Sequence, residues 1–171
     1  MGDYAAIVKA TGFNIGVCCN QDEITRIDYL PTGVEQAPMT PLAKEMVRQL
    51  RAYLKDPAFG FSLPLAPAGT LFQRKVWQEI AAIPSGHVTT YGELAKAVKS
   101  APRAVGGACG ANPYPIAIPC HRVIAAGGGL GGYVHGRALE HKIFYPVFGR
   151  VSAEGTIYFS IDGMALKLQA K

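Results

Sequence analysis

The sequence predicts an α+β fold in two parts, a small antiparallel sheet with one helix followed by a mostly helical part. Three observations predict it. Residues 5–30 carry short apolar or alternating runs separated by turn signals, which is typical of strands. Apolar side chains recur at helical spacing within residues 41–54 and again within residues 70–109. The chain of 171 residues, 49% hydrophobic and 17% charged, is long enough to form a substantial core.

The first part begins with three predicted strands. Residues 5–8 and 15–19 are apolar runs on either side of the turn signal Thr11-Gly12. Residues 24–30 alternate between apolar and polar side chains, as a half-buried strand does. These runs therefore predict the small N-terminal sheet.

A helix is predicted after the strands, with Thr40 as its N-cap and Pro41 in its first turn. Its apolar face, which we expect to pack in the core, is formed by Leu42, Met46, Val47, Leu50, Tyr53 and Leu54. Residues 56–69 are rich in Pro, Gly and Phe without a helical period, which indicates a linker. We therefore predict one domain over residues 1–69 and a second over residues 70–171.

The second part begins with three predicted helices. The first follows Thr70 and ends at residues 83–86, and its apolar stripe is Phe72, Val76, Trp77 and Ile80. The second begins at Thr89 or Thr90 and runs to Val98, and the third covers residues 103–109. Two short helices joined by a tight turn are typical of a helix-turn-helix, whose last helix enters a DNA groove.

The third helix is rich in small residues, namely Ala104, Gly106, Gly107 and Ala108. Small side chains read bases poorly but let a backbone approach another surface closely. A helix packed in a core also favours small residues, so the composition alone leaves both interpretations open.

The net charge of +5 is unevenly distributed. Residues 1–69 carry six Lys and Arg against seven Asp and Glu, whereas residues 70–150 carry nine against three. A basic half indicates either a polyanionic partner or an ordinary solvated surface.

Localisation and redox state are indicated by what the sequence lacks. No apolar run reaches the roughly 18 residues of a membrane span, and the first residues do not have the pattern of a signal peptide. Cys18 and Cys19 are too close for an ordinary disulfide, and no pair of cysteines has CxxC or zinc-ligand spacing. We therefore expect a cytoplasmic protein with reduced thiols, no metal site and no membrane partner.

The run Ile118-Pro119-Cys120-His121-Arg122-Val123-Ile124 places a thiol beside an imidazole and a guanidinium. A buried cysteine is more often an inert apolar residue than a nucleophile, which requires a stabilised thiolate or a nearby base. Adjacent side chains in an extended segment point in opposite directions. Cys120 and His121 therefore need either a local turn or a bridging water to act together.

The chain resembles the O6-alkylguanine-DNA alkyltransferase family, also called methylated-DNA–protein-cysteine methyltransferases, over residues 70–142 densely and before them loosely. The Pro-Cys-His-Arg-Val run with Asn112-Pro113 upstream is the most specific signal. The other matching segments are Phe72-Gln73, Val76-Trp77, Ile83-Pro84-Ser85-Gly86, Thr90-Tyr91-Gly92, Arg103-Ala104-Val105-Gly106 and Gly131-Gly132-Tyr133.

The resemblance implies an RNase H-like N-terminal part and a winged helix-turn-helix-like C-terminal part. It implies direct-reversal DNA repair by a monomer that binds double-stranded DNA carrying O6-alkylguanine. The damaged nucleotide is flipped out of the duplex, and its alkyl group is transferred irreversibly to Cys120, as it also is from O4 of thymine. The resulting thioether has no good leaving group, so the protein acts once and needs no cofactor or metal.

The resemblance also implies roles for single residues around Cys120. His121 is the base that acts through a water, and Asn112 supports the turn that carries both. Tyr91 rotates the target phosphate and donates a hydrogen bond to the leaving guanine. The residue types alone are also compatible with other roles. Tyr91 would then be a core aromatic residue, and Asn112 a turn residue that hydrogen-bonds its own backbone.

Further roles concern the DNA and the base pocket. Arg103 occupies the gap left by the extruded nucleotide, or else contacts a phosphate, and Ala104 and Gly106 on the same helix also contact the DNA. The backbone of Val134 donates to the guanine oxygen, and Tyr133 and Pro115 line the pocket with it. His135 and Arg137 are either phosphate contacts or solvated loop residues.

The chain departs from the family at the glutamate that orients the histidine. Glu154-Gly155 is the only later Glu-Gly pair and lies five residues beyond the ungapped position, after Pro146. Either Glu154 supplies the carboxylate, or another group holds His121, or the activity is reduced. A non-catalytic protein that binds alkylated DNA on the same scaffold is the alternative, and a helix-turn-helix regulator of transcription is a third.

Overall fold

The computed structural model describes residues 3–10, 13–56, 58–84, 87 and 89–125, and the backbone of residues 150–151, 156–161 and 164–169. The chain forms two compact units. The first comprises Met1–Ala68 together with Pro113–Pro115, and the second comprises Gly69–Asn112 together with Ile116–Lys171.

The first unit contains the predicted antiparallel sheet, with strands β1 (Ala6–Lys9), β2 (Asn14–Cys19) and β3 (Ile24–Leu30) in that order. Val8 pairs with Ile15, and Val17 pairs with Ile27, so that apolar residues lie side by side and are buried. The strand predictions are confirmed to within one residue, because most of the apolar residues on which they rest are buried in the core.

Helix α1 (Pro41–Lys55) begins where the sequence predicts. The hydroxyl of Thr40 accepts a hydrogen bond from the backbone N–H of Ala43 at 3.1 Å, which satisfies a free donor of the first turn. The prediction that Leu54 belongs to the buried face is wrong, because its side chain is 36% exposed. In the last turn the buried place is taken by Tyr53, whose ring centroid lies 5.3 Å from that of Phe61.

The predicted linker is partly an ordered segment of the first unit. The backbone N–H of Ile24 donates to the carbonyl of Pro64, and that of Ala66 donates back to the carbonyl of Ile24, both at 2.8 Å. The amide side chain of the buried Gln49 accepts from the backbone N–H of Ser62 at 2.9 Å. These bonds fix residues that have no apolar period of their own.

The second unit contains the predicted helices as α2 (Leu71–Ala81), α3 (Tyr91–Ala97) and α4 (Pro102–Gly110). The indole N–H of Trp77 donates to the carbonyl of Ala108 at 2.7 Å. Ala108 lies in the last turn of α4, where the backbone carbonyls have no hydrogen-bond partner within the helix. A side chain of α2 therefore provides a donor for one of these carbonyls. None of the described helices has the length and apolar character needed to cross a membrane.

Two small sheets among the described residues of the second unit were not predicted. Strand β4 (Thr89–Thr90) pairs in parallel with β5 (Val123–Ile124), directly after the cysteine run. Strands β6 (Arg150–Val151), β7 (Thr156–Ile161) and β8 (Met164–Gln169) form an antiparallel sheet.

Candidate active site

Cys120 lies in a tight double turn. Pro119 has φ −81° and ψ 66°, and the backbone N–H of Cys120 donates to the carbonyl of Ile118 at 2.8 Å, which together define an inverse γ-turn. Cys120–Arg122 then form one turn of 3-10 helix. The predicted local turn at the cysteine is thus present, and it leaves Cys120 only 4% exposed.

The side chain of Asn112 connects the beginning of this segment to its end. Its amide nitrogen donates to the carbonyl of Ile118 at 3.0 Å and lies 3.3 Å from the sulfur of Cys120. The amide is the donor in both contacts, so it stabilises negative charge on the sulfur. Asn112 therefore both shapes the turn and favours the nucleophilic form of the thiol.

His121 and Arg122 are buried beside the thiol, with 6% and 8% of their surface exposed. The guanidinium of Arg122 donates to the carbonyl of Ile83 at 2.8 Å, and this bond holds the turn to the chain that follows α2. Successive side chains of a 3-10 turn point about 120° apart. We therefore still expect a water to bridge the imidazole of His121 and the sulfur of Cys120.

Tyr91 is the first residue of α3, directly after the cap residue Thr90. Burial raises the pKa of Tyr91 well above its usual value, and the nearby thiol groups of Cys109 and Cys120 raise it further. Tyr91 therefore keeps its proton at neutral pH and is a hydrogen-bond donor close to the sulfur of Cys120. The pairing of β4 with β5 explains this proximity, because it joins the start of α3 to the end of the cysteine turn.

The outer face of α4 is open. Arg103 and Ala104 are exposed, and Gly106 is partly exposed. A Cβ atom at Gly106 or Gly107 would meet no atom within 4 Å, so the packing of the protein does not require glycine there. A helix is less stable with glycine than with alanine at an interior position, by roughly 1 kcal/mol. The two glycines therefore indicate a role other than packing, such as the close approach of a partner.

Several predicted residues are not brought to this site by the described structure. Tyr133, Val134 and Glu154 lie outside the described residues, as do His135 and Arg137. Pro115 belongs to the first unit and is half-buried. The partner of His121 and the walls of the base pocket therefore stay predictions. Among the described residues, no group of three or more His, Cys, Asp or Glu side chains is placed to hold a metal ion.

The comparisons with known proteins agree with one family. The domain described as "6-O-methylguanine DNA methyltransferase, DNA binding domain" matches residues 71–145. The methylated-DNA–protein-cysteine methyltransferase of Methanosarcina mazei is 47% identical over 95 residues, which are 54% of this chain and 60% of that protein. The protein of that name from Mycobacterium leprae is 43% identical over 117 residues, which are 67% of this chain and 70% of that protein.

A solved structure extends the likeness to the fold. The crystal structure of Mycobacterium tuberculosis OGT in complex with DNA has a TM-score of 0.65 and 32% sequence identity, over 80% of this chain and 90% of that chain. The chain spans about three fifths of the length of the Methanosarcina relatives. The matched family domain, residues 71–145, includes Cys120.

Proposed function

The chain belongs to the 6-O-methylguanine DNA methyltransferase family, and from this premise we propose that it repairs O6-alkylguanine in duplex DNA by transferring the alkyl group to Cys120. The observation that carries the proposal is the buried sulfur of Cys120, which is held 3.3 Å from the amide of Asn112. An inert core cysteine does not need a donor of this kind. O4-alkylthymine is proposed as a second substrate on the family resemblance alone.

The transfer is an in-line displacement at the alkyl carbon. The thiol of Cys120 gives up its proton through a water to His121, and the thiolate forms a carbon–sulfur bond while the carbon–oxygen bond to guanine breaks. The electron pair of that bond leaves with the guanine, which is returned to its normal form when it takes up a proton. Tyr91, which keeps its proton, stabilises the departing base by donating a hydrogen bond.

The reaction consumes the protein. The thioether on Cys120 is not hydrolysed, because a carbon–sulfur bond of this type has no good leaving group under cellular conditions. Each molecule therefore acts once, and the methyl group that enters comes from the DNA alone.

The open face of α4 supports the proposed way of binding DNA. The alkylated oxygen is inside the stack, so the nucleotide must leave the duplex before Cys120 reaches it. Arg103 is exposed in the first turn of α4, where its planar guanidinium is available to fill the gap. Gly106 and Gly107 offer no side chain that would keep the backbone away from the DNA surface.

The decisive experiment is an intact-mass measurement after incubation with a duplex that contains one O6-methylguanine. The expected product carries one added methyl group, which peptide mapping assigns to Cys120. Cys120→Ser should gain none, and Cys109→Ser, which removes the other buried thiol of the unit, should be methylated as the original chain is. Folded protein that binds the damaged duplex tightly without gaining mass would contradict the transfer and identify a non-catalytic lesion-binding protein.

A further inference from the structure

A tripeptide of the cysteine loop, defined as residues 112–120, belongs to the other unit. Pro113–Pro115 group with the first unit, although Asn112 and Ile116 on either side group with the second. We call Pro113–Pro115 the anchor tripeptide. The chain therefore leaves the second unit and returns to it only a few residues before Cys120.

Two hydrogen bonds within the first unit hold the anchor tripeptide. The backbone N–H of Ile27, in β3, donates to the carbonyl of Pro113 at 3.0 Å. The hydroxyl of Tyr114 donates to the carbonyl of Ala66, in the ordered segment that follows α1. Tyr114 is buried, and burial raises its pKa, so its hydroxyl keeps the proton that this bond requires.

The residue that follows the anchor tripeptide has an unfavourable backbone conformation. Ile116 has a φ of +79°, a region that β-branched residues rarely adopt. It is buried, and two residues later the carbonyl of Ile118 accepts the bond from Asn112. Such a conformation persists only where the surrounding structure holds it on both sides. Here the two sides are the anchor tripeptide and the bond from Asn112 to Ile118.

We propose that Tyr114 is a positioning residue for alkyl transfer, an inference that rests on the proposed function. Its hydroxyl fixes the anchor tripeptide, which holds Ile116 in the positive-φ conformation. That conformation brings the carbonyl of Ile118 and the sulfur of Cys120 to the amide of Asn112. Without the hydroxyl, the loop relaxes at Ile116, and the sulfur loses its donor for part of the time.

The test compares Tyr114→Phe with Tyr4→Phe. Both variants remove one tyrosine hydroxyl bond from the first unit, because the hydroxyl of Tyr4 donates to the carboxylate of Asp28 at 3.0 Å rather than to the carbonyl of Ala66. The measurements are the rate of methyl transfer from a damaged duplex, the rate at which iodoacetamide alkylates Cys120, and the NMR signals of the Asn112 side-chain amide. All are made at a temperature at which both variants are folded.

Tyr114→Phe should slow methyl transfer and iodoacetamide alkylation by about five-fold, the size expected for one lost hydrogen bond, and should shift the Asn112 amide signals. Tyr4→Phe should change none of them. Equal rates and unmoved Asn112 signals in Tyr114→Phe would overturn the proposal, as would equal changes in both variants.

A failure of the proposed function can be distinguished from a failure of the role proposed for Tyr114. In that case the original chain would not be methylated by the damaged duplex, whereas iodoacetamide alkylation and the Asn112 signals would still report whether Tyr114 positions Cys120.

Discussion

Asn112 donates a hydrogen bond from its side-chain amide to the sulfur of Cys120 across 3.3 Å, and the same nitrogen lies 3.0 Å from the carbonyl of Ile118. A single side chain thus fixes the backbone of the turn and the environment of the thiol. An apolar residue of the same size would leave the Ile118 carbonyl with only the N–H of Cys120 and would leave the sulfur without this donor.

Asn112→Asp should slow alkyl transfer to Cys120 at neutral pH by about ten- to one hundred-fold. The substitution preserves the shape of the side chain but replaces the donor with a carboxylate that repels the thiolate, and bonds to charged groups contribute roughly 1.5–3 kcal/mol. The single-turnover rate with a damaged duplex measures the effect. Asn20→Asp introduces the same charge in the first unit, where the side-chain oxygen of Asn20 already accepts a hydrogen bond from the backbone N–H of Glu23. This control should leave the rate of alkyl transfer unchanged.

Arg103→Ala should slow repair of a damaged duplex by about ten-fold or more while changing the reaction with free O6-methylguanine by less than about two-fold. Only the duplex requires an extruded nucleotide whose place must be filled. Rates of methylation of Cys120 by the two substrates measure the difference. Arg74→Ala removes an exposed cation from α2 and serves as the control for charge, and equal losses with both substrates would contradict the role of Arg103.

Gly106→Ala should stabilise the unbound protein by about 0.5–1 kcal/mol, because alanine favours the helix and its methyl group meets no neighbouring atom. It should weaken binding to duplex DNA several-fold, because the methyl group would stand on the face that is proposed to approach the DNA. Urea denaturation and DNA titration measure the two effects. Gly60→Ala, also in open space but in the first unit, should leave DNA binding unchanged, and unaltered affinity in Gly106→Ala would remove α4 from the interface.

Glu93→Gln should make the second unit less sensitive to acid. The carboxylate of Glu93 accepts from the backbone N–H and the hydroxyl of Thr90 and from the hydroxyl of Thr89, and these bonds lower its pKa. The stability they contribute is complete above the ordinary glutamate pKa of about 4.3 and is lost as the pH falls through the lower, folded value.

The fluorescence of Trp77, the single tryptophan, can follow the acid transition of this unit. The original chain should lose more stability than Glu93→Gln as the pH falls through that range, and Glu79→Gln, which removes an exposed charge from α2, should behave like the original chain. Because Glu93 caps the helix that begins at Tyr91, Glu93→Gln should also slow alkyl transfer at neutral pH.

The sequence was most informative about elements that depend on neighbouring residues. The cap at Thr40, the strands of the first unit and the helix-turn-helix pattern follow from the order of apolar and polar side chains, and the structure confirms them. Leu54 shows the limit of that pattern. Both Tyr53 and Leu54 fit the apolar face of the last turn of α1, but only Tyr53 is buried.

By itself, the sequence determined the family and the identity of the proposed acceptor, because the run around Cys120 and its upstream Asn112-Pro113 are local and specific. Only the tertiary structure decided how the segment before and after Cys120 is anchored, since this depends on contacts between residues distant in the chain. The bond from Tyr114 to Ala66 and the pairing of Thr89 with Val123 have no local signal. Such contacts form only after the surrounding elements have packed, so no window of sequence predicts them.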